Sequence, residues 1–87
     1  MKFWAKEFLD NRMLRDVVVE IDGDDTRTHK VFAAIEKISY EFDLPKPIWL
    51  DSNVNDFKRH SKVKFNKDSY VEEIPFDYLE IMVLEED

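Results

Sequence analysis

Apolar and polar residues alternate with a period of two along three stretches of this chain, and with a helical period along one. Residues Lys2 to Phe8 and Met13 to Asp22 read as strands, and Asp10-Asn11 between them supplies the turn that folds the two into a hairpin. In the second stretch Val17, Val19 and Ile21 fall on one face. Asp77 to Leu84 is a third strand, in which Leu79, Ile81 and Val83 alternate with Glu80, Met82 and Leu84. Between about Thr28 and Phe42 the spacing changes. Val31, Ile35, Ile38 and Phe42 follow one another at helical intervals and form a single apolar stripe, with Lys30, Lys37 and Glu41 turned away.

Local signals bound these elements. Asp22-Gly23-Asp24-Asp25 breaks the strand and sets carboxylates ahead of the helix, where the positive end of its macrodipole favours them. Leu44-Pro45-Lys46-Pro47 ends the helix, because proline disfavours a helical residue before it. Ile48-Trp49-Leu50 is a short apolar anchor, and any of Asp51, Ser52 and Asn53 can cap a short helix through about His60 with Val54 and Phe57 inward. Residues 61–76 carry mixed signals: Val63 and Phe65 alternate as in a short strand, while Asp68 to Glu73 has the pattern of one capped helical turn. The pattern predicts a single α+β domain over residues 1–87. Its sheet is small and largely antiparallel, of about three strands, in the order strand, strand, helix, short helix, strand. The main helix packs on the face carrying Val17, Val19, Ile21, Leu79, Ile81 and Val83.

One long helix covers one face of a sheet. Trp4, Val18, Met82 and Leu84 have the opposite parity, and leaving such side chains wet forgoes about 1.5 to 3 kcal/mol each. Two arrangements bury them. Either the 51–60 helix and the Ile48-Trp49-Leu50 anchor fold over the second face, or two copies close it in a symmetric dimer with Asp16, Glu20 and Glu80 at the rim. The expectation is a homodimer formed through Trp4, Val18, Met82 and Leu84.

Composition narrows the function classes. At 87 residues and 10.5 kDa, folding removes roughly 65% of the unfolded chain's surface from water, enough for one modest core. Seven Phe, three Tyr and two Trp supply its bulk and argue against disorder. With no Cys there are no disulfides, thiolate metal sites or cysteine nucleophiles, and a single Gly leaves no glycine-rich phosphate loop. No segment approaches the ~20 apolar residues that a bilayer requires, and the opening MKFWAKEF lacks the apolar run of a secretion signal, so a cytoplasmic location is expected.

Charge is segregated along the chain. Residues 58–67 (KRHSKVKFNK) hold five Lys or Arg and no acid, whereas residues 68–87 hold eight acids and no base, within a total of −7. Phe57, Lys58, Arg59, Lys62, Lys64, Phe65 and Lys67 therefore have the residue types of a cationic track with stacking aromatics that binds single-stranded nucleic acid. The competing expectation is that this run neutralises the acidic C-terminal segment, and the net charge opposes nucleic-acid binding over the surface as a whole.

Sites for chemistry are sparse. Asp22, Asp24, Asp25 and His29 offer metal-ligand types, and a small metal-dependent enzyme around residues 22–29 is one reading of them. As a calcium loop the segment fails: counting from Asp22, Arg27 stands where the glycine belongs and Ala33 where the bidentate glutamate belongs. No nucleophile elbow surrounds Ser39, Ser52, Ser61 or Ser69, so Asp51, His60 and Ser61 do not read as a triad. Glu72-Glu73 can serve acid–base chemistry only if buried.

The strings FDLPKPIWLDSN (Phe42 to Asn53) and FDYLEIMVLEED (Phe76 to Asp87) resemble a group of small, uncharacterised bacterial proteins of near-identical length, over most of the chain. The resemblance implies a bacterial cytosolic single domain and carries no activity, cofactor or site. Together these readings predict a noncatalytic protein-interaction or regulatory module without cofactor, metal or membrane, whose partner is another protein or itself. The nucleic-acid module is the first alternative and the metal enzyme the second.

Overall fold

A computed structural model describes all 87 residues. The elements are β1 (Lys2–Leu9), β2 (Arg12–Glu20), α1 (Arg27–Glu41), α2 (Asp51–His60), β3 (Lys62–Asn66) and β4 (Tyr78–Glu85), with a 3-10 turn over Lys67–Ser69. The strands form one antiparallel sheet in the order β2-β1-β4-β3. The α+β class and the antiparallel sheet follow the sequence pattern, but the sheet has four strands rather than three. The fourth is β3, where Val63 and Phe65 alternate inward between exposed Lys62, Lys64 and Asn66. The helical turn expected over Asp68 to Glu73 is instead the shorter Lys67–Ser69 turn, where the Asn66 side chain accepts from the amide of Asp68.

Local chemistry explains the boundaries. Asp10 and Asn11 both have positive φ, 52° and 66°, the paired left-handed geometry of a two-residue hairpin turn whose twist matches that of the flanking strands. α1 starts at Thr26, whose hydroxyl accepts from the His29 amide at 3.2 Å. It ends before the prolines act. Asp43 takes a left-handed conformation, φ 53°, and the amides of Asp43 and Leu44 bond back to the carbonyls of Tyr40 and Ser39. α2 is preceded by Leu50, which has no capping side chain. Of the three expected caps only Asn53 acts, and it does so from the third helical position, accepting from the Leu50 amide at 2.9 Å.

The topology fixes where the helices lie. β2 and β3 are opposite edges of the sheet, so the chain from β2 through α1 and α2 to β3 crosses the sheet once, over one face. Phe3, Ala5, Val19, Val63, Phe65, Leu79 and Ile81 of that face meet Val31, Ala34, Ile35 and Ile38 of α1 and Phe57 of α2 in a single core. The indole of Trp49 stands edge-on to Phe65 at 5.0 Å and to Phe57 at 5.8 Å. The short helix and the Trp49 anchor therefore lie on the same face as α1, and the alternative in which they cover the second face does not hold.

Five polar residues, Glu7, Lys30, Ser39, Asn53 and Ser69, are buried, and the hydroxyls of Ser39 and Tyr70 have no hydrogen-bond partner. Glu7 continues the inward parity of Phe3 and Ala5 and is 2% exposed. Its cross-strand neighbour Arg15 meets it with two bonds, Nε to Oε1 at 2.6 Å and Nη2 to Oε2 at 3.1 Å, while Nη2 also donates to the Phe42 carbonyl. Lys30, expected in solvent, is buried and paired with Asp87. Asn53 is buried, donating to the Lys64 carbonyl at 3.0 Å and accepting from the Ser69 hydroxyl at 3.1 Å.

Candidate interaction surface

The second face of the sheet carries no helix. Strand register arranges its side chains in rows, because residues directly opposite in neighbouring strands project to the same side. Across β2, β1, β4 and β3, one row reads Val18, Trp4, Met82, Lys62. The next reads Asp16, Lys6, Glu80, Lys64, and the third Met13, Phe8, Tyr78, Asn66. A fourth, shorter row pairs Glu20 with Lys2 and Lys2 with Glu85.

Interactions within this face run sideways. The Trp4 indole donates to Asp16 at 2.8 Å, Lys6 lies over the Trp4 ring at 3.9 Å from its centroid, and Lys6 also pairs with Glu80 at 3.3 Å. Phe8 stacks on Tyr78 at 5.0 Å, and Lys64 extends over the same Tyr78 ring. Apolar surface still remains in water: Val18 is 50% exposed and Met13 49%. At the edges the charges are left over. Asp16 and Glu20 on β2 form no ion pair, nor do Lys62 and Lys64 on β3, so the face has an acidic edge and a basic edge.

Trp4, Val18 and Met82, expected together in a self-association surface, are brought into one row. Leu84 is 43% exposed beside a register shift in the pairing of β4 with β1, outside that row. The expected nucleic-acid track is divided. Phe57 and Phe65 are core residues at 7% and 0% exposure, so neither can stack on a base. Lys58 and Arg59 lie on α2, Lys62 and Lys64 on β3, and Lys67 in the 3-10 turn. β3 lies beside β4, which puts the basic strand against the acidic one, yet none of the five cations makes an ion pair.

At the candidate metal loop the Asp25 carboxylate meets His29 Nδ1 at 2.8 Å, and no three acidic or histidine side chains converge there. His29, and after it the Thr26 amide, holds Asp25 below the usual carboxylate range. Glu72 and Glu73 are exposed, as is His60, and Ser61 receives a bond from Arg27. Arg27 also holds Glu86 below its ordinary range, and Lys30 with the Met1 ammonium does the same for Asp87. Burial pushes the Tyr70 hydroxyl well up, with the Glu7 carboxylate adding to the effect.

Two concavities lie elsewhere. A cleft of about 270 Å³ between the helices is lined by Val31, Phe32, Trp49, Val54 and Phe57, with Arg27, Thr28 and Lys58 as its polar members. A more polar hollow lies along Lys67–Phe76. The two most buried ionisable groups, Glu7 and Lys30, line neither, and each is held by a structural partner. No helix is long and apolar enough to cross a membrane. Sequence reasoning missed the burial of Glu7 and Lys30 and saw in Asn53 only a helix cap, although the inward parity of Glu7 with Phe3 and Ala5 was a legible signal for the first. The chain matches no family model, no curated protein and no solved structure, so its candidate surface rests on its own geometry.

Proposed function

We propose that this protein is a noncatalytic protein-interaction module that works through the open face of its sheet. One observation carries the reading: both helices occupy one side, which leaves four strands with Trp4, Phe8, Tyr78, Met82 and a half-exposed Val18 without a covering element. This face sets aromatic and apolar rows on either side of a charged row whose central Lys6–Glu80 pair is made within the chain, and its Trp, Tyr, Phe and Met are residue types enriched at protein interfaces. A cytoplasmic location and a bacterial source belong to the same reading.

The nucleic-acid alternative no longer has Phe57 and Phe65 as stacking groups. It can draw on Trp4, Phe8 and Tyr78, but Asp16, Glu20 and Glu80 share their face and repel phosphate. A photo-reactive amino acid placed at Met82 tests both, with one at Tyr40, an 87% exposed residue of α1, as control. Protein adducts at 82 and none at 40 are expected. Absence of adducts at 82, or adducts there that nuclease removes, overturns the reading.

A further inference from the structure

We infer that the occupant of the open face is a second copy of this chain, related by a two-fold axis that lies between the two sheets and runs parallel to their strands. The inference rests on the proposal that this face is an interaction surface, and it adds which partner binds and in which orientation.

The charged row decides it. Across the sheet it reads Asp16, Lys6, Glu80, Lys64, alternating in sign, so its left and right halves are opposite in charge. An isologous face-to-face contact admits two simple arrangements of the strands. A two-fold parallel to the strands lays β2 over the partner's β3 and β1 over its β4. Asp16 then meets Lys64 of the partner subunit, and Lys6 meets Glu80 of the partner subunit. A two-fold across the strands that runs along this central row lays each strand over itself, so every charge in the row meets its own sign, which costs several kcal/mol at a contact. Only the first arrangement is self-complementary.

The remaining rows agree with it. Lys2 comes to face the strand position of Glu85, and Trp4 faces Met82, an aromatic against a flexible thioether that adapts its shape. Within one chain the edge charges Asp16, Glu20, Lys62 and Lys64 have no ionic partners. A partner turned about this axis pairs Asp16 with Lys64 of the partner subunit at both edges, while Lys62 lies over the partner's Val18 and Glu20 lies beyond the end of β3.

Size sets the strength. Four strands at about 4.8 Å spacing and rows extending about 20 Å give roughly 400 Å² per partner in projection, below the ~800 Å² per partner of a standard interface, so the contact belongs to the weak, reversible class.

The absence of cysteine makes the test clean, because single introduced thiols have no competitors. Light scattering on the full chain at about 100 µM should give twice the 10.5 kDa monomer mass. Met82→Lys should return it to monomer with an unchanged circular dichroism spectrum. Under mild oxidation, a mixture of Val18→Cys and Lys62→Cys chains should yield the mixed disulfide, while neither variant alone should cross-link. Asp16→Lys should weaken dimerisation by roughly tenfold or more, and the charge-swapped Asp16→Lys/Lys64→Glu should recover most of that loss. A strict monomer at 100 µM overturns the second copy, and if the photo-reactive group at 82 still captures another protein, the interaction module itself stands. A dimer in which Val18→Cys cross-links to itself overturns the axis. A dimer indifferent to Met82→Lys overturns the face.

Discussion

Val18 and Val19 are adjacent in β2, yet one is 50% exposed and the other 4%. They stand for the two faces of the sheet. On the covered face, apolar side chains from four strands and two helices close around one another, and of the polar groups that enter, Glu7, Lys30 and Asn53 are each met by a partner, whereas the Ser39 and Tyr70 hydroxyls are not. On the open face the same strands present aromatic, aliphatic and charged residues in alternating rows, held by lateral contacts and leaving charge at both edges. Alternation writes both faces into the strands with equal clarity. What separates them is which side the chain crosses on its way from one sheet edge to the other, and that side becomes the core.

The sharpest way to break this contrast is to orphan the charge inside the covered face. Arg15→Ala leaves the Glu7 carboxylate buried and unpaired and should destabilise the fold by about 3 kcal/mol in urea unfolding. Glu7→Gln with Arg15→Met should cost clearly less than the single change, because no charge is then stranded. Equal losses would show that the pair contributes only packing.

Asn53→Ala should follow at about 2 kcal/mol, since the Leu50 amide, the Ser69 hydroxyl and the Lys64 carbonyl lose their shared partner. Its loss should also loosen α2 against β3, raising amide exchange in residues 51–60 above that in α1. Uniform exchange in both helices would count against Asn53 as the group that fastens α2.

The two valines measure the contrast directly. Val19→Ala should cost about 2 kcal/mol, and Val18→Ala no more than about 0.5 kcal/mol in dilute monomer. At concentrations where the open face is occupied, the cost of Val18→Ala should grow. A concentration-independent difference between the two would leave the open face simply solvated.

Acid titration probes the ties that hold the end of β4 to α1. Glu86 and Asp87 have lowered folded-state pKa values, through Arg27 and Lys30 respectively as the first cause. Their contribution is therefore complete above the ordinary carboxylate range near pH 4 and is lost as pH falls through the depressed values. Melting temperature should drop less steeply between about pH 4 and pH 2 in Glu86→Gln/Asp87→Asn than in the parent chain. An identical slope would place the acid sensitivity elsewhere, with Asp25 the next candidate.

The smallest expected effect lies in the hairpin turn, which belongs to neither face. Asn11→Gly should stabilise by a few tenths of a kcal/mol up to about 1, because glycine takes positive φ without steric cost. A destabilisation would mean that the Asn11 side chain supports the turn through contacts beyond its backbone angle.

Sequence alone determined the elements whose signal is local. The hairpin, α1, α2 and β4 are legible in the period of their apolar residues and in Asp10-Asn11, and the row of Trp4, Val18 and Met82 follows from strand parity once the register is known. β3 was half legible, because five residues with two inward side chains give little periodic signal. Tertiary structure decided the rest. It turned Lys30 inward, since a helix position gains a buried partner only where the chain end brings Asp87 to it. It decided between two readings of Phe57 and Phe65, placing both in the core as their helical and strand spacing allowed and not beside the cations of the basic run, because hydrophobic burial follows the face a residue lands on rather than its neighbours in sequence. And it left one sheet face open, because β2 and β3 became opposite edges and both helices had to cross between them on the same side.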